Sequence, residues 1–157
     1  MVARRKLLDA QRILGLRFPI YLIVTKSDCI PSFEGYLNEL PDRYRDSIFG
    51  WSSPYSLETT FAPTWVDESF DAMGQVIRRS QIELLSDGID SDDPDGFFVF
   101  PADFDEVREP VKQFLTRLLR PSAYHDAFDL RGIYFTGDGG GAAEAVEQLV
   151  AEREPDV

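Results

Sequence analysis

The sequence is poor in the residues from which disulfides, metal sites and catalytic centres are usually built. Of its 157 residues, only one is a cysteine and only one is a histidine. A lone cysteine cannot close an internal disulfide or build a structural zinc site. This scarcity predicts a reducing compartment, no metal ligand and no catalytic Ser-His-Asp or Cys-His pairing. His125 is interpreted as an exposed polar residue, because it lies in a short loop-like stretch with proline, serine and aspartate neighbours.

Basic residues and long apolar runs are also scarce. The chain has 16 lysines and arginines against 28 aspartates and glutamates, a net charge of -12. Such a chain repels a phosphate backbone, which disfavours nucleic acid and anionic membrane surfaces as partners. It has no run of about 18 apolar residues, so we predict no direct insertion into a membrane. The apolar content of 43% and aromatic content of 13% predict a packed domain.

An acidic stretch at residues 87–96 resembles a calcium-binding loop in composition, but its spacing is wrong. If Gly96 takes the glycine position of an EF-hand loop, Ala102 falls at the twelfth position. That position requires a bidentate glutamate, so the stretch is interpreted as a solvated loop.

Helical and extended patterns alternate along the chain. Apolar residues at helical spacing predict helices at residues 2–15, 33–40 and 65–85, with further helical segments around 44–49 and after Pro110. Nearly continuous apolar runs predict strands at 18–24, 97–100 and 130–136. The first of these strands is expected to be buried on both faces. The alternation predicts an α/β fold with three layers and a mostly parallel sheet.

Residues 50–63 form a predicted loop that is unusually rich in aromatic residues. The loop contains Trp51, Tyr55 and Phe61. Two interpretations stay open: the rings pin the loop onto the core, or they form a surface for a partner protein.

The main candidate site is Thr25-Lys26-Ser27-Asp28, which follows the predicted strand at 18–24 directly. The pattern is typical of the base-recognition turn of GTPase-type folds, in which ligands bind at the carboxyl ends of strands. Asp28 can accept two hydrogen bonds from guanine, the Lys26 stem can lie along the base, and Thr25 can tie the turn to a phosphate loop. The chain contains no G-x-x-x-x-G-K-[ST] loop, however, so the usual phosphate cradle is missing. Thr25, Lys26 and Asp28 are therefore predicted to be an inherited base-binding corner.

Two further strands are expected to end at the same, carboxyl end of the sheet. The first ends at Pro101-Ala102-Asp103, where Ala102 is the candidate for a backbone contact with the edge of the purine. The second leads into the glycine run at 137–141. That run contains Asp138 and lacks a following Lys, Ser or Thr, which favours a flexible connection over a phosphate nest.

Several ordered segments carry a family resemblance. They are FPIYLIVTKSDCIPSF at residues 18–33, FVFP at 98–101, RGIYFT at 131–136, and Arg108-Glu109-Pro110 ahead of Phe114-Leu115. Over residues 4–137 the chain resembles the cytoplasmic region of the IcmF/TssM family, large inner-membrane proteins of type VI secretion systems with relatives in type IV systems. The resemblance implies the latter, C-terminal part of a GTPase-like domain, a partial P-loop NTPase fold whose phosphate loop lies upstream.

The resemblance also implies a function, a location and partners. The function is assembly and anchoring of the secretion apparatus at the cytoplasmic face of the bacterial inner membrane, and the partners are other membrane-complex and baseplate proteins. No cofactor is expected in this chain, whereas an intact parent can bind GTP or ATP with Mg²⁺. The alternative is a nucleotide hydrolase domain completed by upstream sequence or by another chain. A third hypothesis is a plain scaffold in which Asp28 only caps the turn.

The predicted domain division follows the same resemblance. Residues 1–137 are predicted to be a partial GTPase-like domain, and residues 138–157 a glycine-rich connection and a C-terminal helix. The chain is expected to be a piece of a longer protein, so the strand at 18–24 would border missing strands. An open strand edge invites pairing, which predicts a homodimer through this edge.

Overall fold

A three-stranded sheet organises the part of the chain that the computed structural model describes, residues 2–45, 47–88, 94–121 and 128–137. The strands are β1 (Pro19–Val24), β2 (Gly50–Ser52) and β3 (Asp129–Phe135). β3 lies in the centre, parallel to β1 and antiparallel to β2. The strands predicted near 18–24 and 130–136 are therefore confirmed, and β2 is a strand where a loop was predicted. The sheet has one parallel and one antiparallel pair, and the three-layer GTPase-like architecture stays a prediction.

The helices follow most of the predicted segments. They are α1 (Val2–Leu14), α2 (Phe33–Glu39), α3 (Asp42–Arg45), α4 (Thr64–Asp87), α5 (Pro94–Asp105) and α6 (Arg108–Leu118). Pro110 lies in the first turn of α6, where its missing N–H costs no helical hydrogen bond. The chain passes through α2–α6 between β1 and β3, because two parallel strands need a crossover connection. The helix predicted after residue 141 lies outside the described residues.

The predicted strand at residues 97–100 is wrong, because these residues lie in α5. Phe97, Phe100 and Phe104 recur at helical spacing and are buried, whereas Phe98 and Val99 are exposed. A short apolar run fits either a strand or a buried helix, and here the core contacts select the helix.

Pro101 lies inside α5, and another helix compensates for its missing N–H. In an uninterrupted helix, the N–H of residue 101 would donate to the carbonyl oxygen of Phe97. Instead, the buried Gln81 of α4 donates its Nε2 to that oxygen at 2.7 Å. A buried hydrogen bond therefore joins α4 to α5 at the carbonyl that proline leaves without a helical partner.

β1 is buried on one face only, which corrects the prediction of a strand covered on both faces. Ile20, Leu22 and Val24 pack against the core. Tyr21 and Ile23 point the other way and are 55% and 60% exposed. β1 is also an edge strand of the described sheet. This alternation is typical of a strand with one solvated face.

The core lies between the sheet and the helices α4, α5 and α6. At its centre, the ring centroid of Phe104 lies 5.0 Å from those of both Phe70 and Phe135. Phe70 belongs to α4, Phe104 to α5, and Phe135 is the last residue of β3. The aromatic cluster therefore fixes the carboxyl end of β3, the end beside which the candidate turn lies.

The aromatic residues around β2 hold the following loop against α4. The Tyr55 ring stacks on Trp65 with centroids 4.4 Å apart, and Phe61 and Trp51 also contact Trp65. The Arg131 guanidinium donates to the Tyr55 carbonyl oxygen at 2.7 Å. These contacts favour the interpretation in which the rings pin the loop to the core.

Candidate functional site at the carboxyl end of the sheet

The turn at residues 25–28 lies at the carboxyl end of β1, beside the end of β3. The Thr136 N–H donates to the Val24 carbonyl oxygen at 2.9 Å, and the Ser27 N–H donates to the Thr136 carbonyl oxygen at 3.1 Å. Because parallel strands end at the same edge of a sheet, residues 25–28 and 136–137 form one corner. We call this the β1–β3 corner.

The backbone of the turn is held in an uncommon conformation. Lys26 is left-handed, with φ of 59° and ψ of 42°, and a short 3-10 helix follows at Ser27–Cys29. A left-handed residue other than glycine is uncommon and concentrates at turns and functional sites. The conformation buries Ser27 and leaves Thr25, Lys26 and Asp28 exposed. All three predicted base-binding side chains thus reach solvent at this corner, and their ligand stays a prediction.

Gly137 packs against the turn so closely that a side chain does not fit. A Cβ on Gly137 would lie 2.7 Å from the Asp28 backbone nitrogen and 3.0 Å from the Ser27 backbone nitrogen. Backbone atoms give way far less easily than the end of a flexible side chain, so glycine is required here. The start of the glycine run therefore has a packing role that its sequence alone did not reveal. Residues 138–141 lie outside the described residues.

Ser27, to which the sequence analysis gave no role, lies under the turn. It is 2% exposed, and its hydroxyl oxygen has no hydrogen-bond partner among the described residues. Its backbone forms two hydrogen bonds. The Ser27 N–H donates to the Thr136 carbonyl oxygen at 3.1 Å, and the Ser27 carbonyl oxygen accepts the Ile30 N–H at 2.9 Å. The backbone of Ser27 therefore attaches the turn to the residue that follows β3.

Ala102 does not lie at a strand end, which removes the reason for assigning it a purine-edge contact. It is an exposed residue of α5. The neighbouring Asp103 carboxylate accepts a hydrogen bond from the Ser32 hydroxyl, which anchors α5 to the start of α2. The strand end that does neighbour the turn belongs to residues 136–137.

An apolar cavity of about 570 Å³ opens beside the β1–β3 corner. Its walls come from α2, the segment before β2 and the ends of β1 and β3, and Thr136 and Gly137 belong to both the corner and the cavity. No lysine, arginine, aspartate or glutamate is among the described residues of its lining. Burial raises the pKa of Tyr36, whose hydroxyl pairs with that of Ser80 at 3.0 Å, so the phenol stays neutral. The cavity is therefore uncharged and suited to apolar contacts.

Metal ligands and membrane-spanning segments are not found within the described ranges. No cluster of three or more histidine, cysteine, aspartate or glutamate side chains there could hold a metal ion. No helix in the same ranges has the length and apolarity that a bilayer crossing needs. The single histidine, His125, and Asp138 of the glycine run lie outside them.

Comparison with known proteins identifies the family. The model of the IcmF-related N-terminal domain matches residues 2–153. The chain belongs to the IcmF-related family. It is 30% identical over 137 residues to the type VI secretion system component TssM1 of Pseudomonas aeruginosa, a match that covers 85% of this chain.

The match to TssM1 covers one small part of a much longer relative. The chain spans only 12% of the length of TssM1. No solved structure matches it. The IcmF/TssM resemblance is thus confirmed, whereas its placement as the latter part of a GTPase-like domain stays a prediction.

Proposed function

We propose that this IcmF-related domain belongs to a type VI secretion component and acts as an assembly module of its membrane complex. Its place is the cytoplasmic face of the bacterial inner membrane, and its partners are other membrane-complex and baseplate proteins. Membership of the IcmF-related family and the similarity to TssM1 support this proposal.

The observation that carries the assembly role is the uncharged cavity beside the β1–β3 corner. A phosphate site presents backbone N–H groups, lysine or arginine to its ligand. This cavity presents aliphatic and aromatic side chains, and Ile48 in its lining is 85% exposed. Apolar side chains of a partner protein are the occupants that such a surface accepts.

The test is binding of the intact chain to the purified membrane-complex and baseplate components of its own secretion system. Pull-down identifies the partner, and calorimetry then compares two variants with the unchanged chain. Ile48→Asp puts a charge into the cavity and should weaken binding at least tenfold, as the loss of an interface hot spot does.

The matched control is Ile82→Asp. Ile82 is an exposed isoleucine of α4 that does not line the cavity, so the same charge is added elsewhere. Its affinity should equal that of the unchanged chain. Binding to no component, or equal losses in both variants, would contradict the proposal.

A nucleotide-binding parent is the second candidate function. The exposure of Lys26 and Asp28 favours it, since both residues reach solvent in the turn that follows β1, where Lys26 is left-handed. In this hypothesis another part of the protein or another chain supplies the phosphate loop and completes a hydrolase. Asp28→Asn should then change the base preference of the intact parent and leave the stability of this chain within about 0.5 kcal/mol.

Calorimetry with Mg-GTP and Mg-ATP tests a premise that both candidates share, namely that the isolated chain has no phosphate site of its own. Without a phosphate cradle, several charge-assisted hydrogen bonds of about 1.5–3 kcal/mol each are missing, and binding at micromolar concentrations is not expected. Micromolar binding of GTP by this chain alone would contradict that premise and count against a remnant base corner.

A further inference from the structure

We propose that a basic surface at one end of the domain binds anionic phospholipid headgroups, with α1 lying along the membrane interface. The basic surface consists of Arg5, Lys6 and Arg12 on α1, and Arg117 and Arg120 at the end of α6. The proposal depends on charge, exposure and packing, and it holds whatever protein partner the cavity binds.

The net charge of -12 is distributed unevenly, because an acidic chain contains two basic segments. Residues 2–17 contain five basic residues against the single acidic Asp9. Residues 110–121 contain three basic residues and no acidic one. Because salt screens charges beyond about 8–10 Å, a surface responds to nearby charges more than to the total. The whole-chain charge that disfavoured an anionic membrane therefore does not describe this end of the domain.

A hydrogen bond between helices brings the two basic segments together. The Arg4 guanidinium on α1 donates to the Leu118 carbonyl oxygen of α6 at 2.8 Å. This contact places the start of α1 beside the end of α6, and so puts Arg117 and Arg120 near Arg5 and Lys6. Arg4 itself is committed to α6 and is not counted in the basic surface.

The five cations of the basic surface are available to a ligand. All of them are exposed, and none forms an ion pair with a carboxylate of the described residues. The nearby Arg17 differs, because it pairs with Asp129. Asp9 is exposed on α1 and opposes anion binding, but it is one charge against five.

Exposed aliphatic side chains beside the arginines distinguish lipid from other polyanions. Ile13, Leu14 and Leu16 are 79%, 59% and 54% exposed, and they directly follow Arg12. The charged phosphate backbone of nucleic acid offers such side chains little apolar contact. The boundary between headgroups and acyl chains accepts both basic and aliphatic groups, as in helices that lie in the membrane interface. The combination therefore favours an anionic lipid surface.

Vesicle co-sedimentation of the intact chain tests the proposal. Vesicles of phosphatidylglycerol and phosphatidylcholine in equal parts are compared with vesicles of phosphatidylcholine alone. The chain should bind the anionic vesicles and not the neutral ones. Binding should weaken as salt rises from about 0.05 M to about 0.3 M, because the surface attraction decays within a shorter Debye length.

Two arginine pairs give a matched comparison. Arg5→Gln with Arg12→Gln should lower the partition coefficient about 25-fold, a factor of about five for each charge removed. Arg78→Gln with Arg79→Gln removes two exposed arginines of α4 away from the basic surface and should leave it unchanged. Ile13→Ser with Leu16→Ser should lower binding severalfold at both salt concentrations, because the apolar contribution is not screened. Circular dichroism melts verify that each variant is folded.

Three outcomes would overturn the proposal: no binding to anionic vesicles at low salt, equal binding to neutral vesicles, or equal losses in the two arginine pairs. Heparin fragments serve as a soluble polyanion. If they bind the chain while anionic vesicles at the same salt do not, the basic surface recognises a soluble polyanion and the lipid assignment is wrong.

Discussion

At the scale of single residues, the β1–β3 corner requires glycine at position 137, because a side chain there would not fit. The change Gly137→Ala should destabilise the chain by about 1–3 kcal/mol, because the new Cβ would overlap the backbone of the turn at Asp28. Urea denaturation followed by tryptophan fluorescence measures the loss.

The matched control is Gly74→Ala inside α4. A Cβ there would lie no closer than 3.4 Å to other atoms, all at the end of the Arg78 side chain. This change should stabilise the chain by up to about 1 kcal/mol, since alanine is the better helix former. A Gly137→Ala variant as stable as the unchanged chain would show that the turn does not depend on this close approach.

The sequence predicted part of this corner and not the rest. Residues 25–28 were identified because a polar turn directly after an apolar strand is a local pattern. The role of Gly137 depends on the pairing of β1 with β3, which are more than a hundred residues apart in the chain. Likewise, Ala102 was misplaced because its assignment required a strand at 97–100.

At the scale of elements, the bond from Gln81 to the Phe97 carbonyl oxygen couples α4 to the proline of α5. Gln81→Met keeps the side-chain volume but leaves that carbonyl unsatisfied, so it should cost about 1–3 kcal/mol. In a Pro101→Ala background, the N–H of residue 101 can donate to the same oxygen, and the cost should fall by about 1 kcal/mol.

A double-mutant cycle measured by urea denaturation tests this coupling. The four chains are the unchanged protein, the two single variants and the double variant. If the two changes in unfolding free energy simply add, Gln81 does not compensate for the proline, and its burial has another cause.

The contact between α3 and α4 predicts a dependence of stability on pH. Arg43 and Tyr44 both donate to the Glu83 carboxylate, and the hydrogen bond from Arg43 is the main cause that lowers the pKa of Glu83. A carboxyl whose pKa is lowered by folding stabilises the fold above its unfolded pKa of about 4.3. This contribution is lost as the pH falls through the lower pKa of the folded state.

Glu83→Gln should therefore be less stable than the unchanged chain near about pH 7, and the difference should shrink below about pH 4. Urea denaturation at several pH values measures it. Glu34→Gln, which removes an exposed carboxylate of α2, controls for the loss of one negative charge. A constant difference between Glu83→Gln and the unchanged chain over this pH range would contradict the assigned cause.

The sequence patterns missed the elements whose secondary structure depends on tertiary contacts. The run at 97–100 has the composition of a strand, but the burial of Phe97, Phe100 and Phe104 on one side selects a helix. β2 is only three residues long and exists through its pairing with β3. By contrast, α4 was predicted almost to its ends because its apolar stripe is long and regular.

At the scale of the whole molecule, the open edge of the sheet and the net charge act in opposite directions. The Val24 carbonyl oxygen faces β3, where it accepts the Thr136 N–H. Backbone groups alternate along a strand, so those of Tyr21 and Ile23 face the open edge. The exposed side chains of the same two residues add apolar surface beside it. A second copy can pair there only if it overcomes the repulsion between two chains of charge -12.

We therefore expect a dimer through β1 whose population rises with both protein and salt concentration, because salt screens the repulsion. Light scattering at several concentrations measures it. Tyr21→Lys places a charge at the paired edge and should shift the population to monomer, whereas Ile82→Lys adds the same charge to the exposed face of α4 and should not. In the dimer, amide hydrogens at the edge should exchange slowly. A strict monomer at high salt with rapid exchange of the Tyr21 and Ile23 amides would show that the edge is left unpaired, and the pairing proposed here would be wrong.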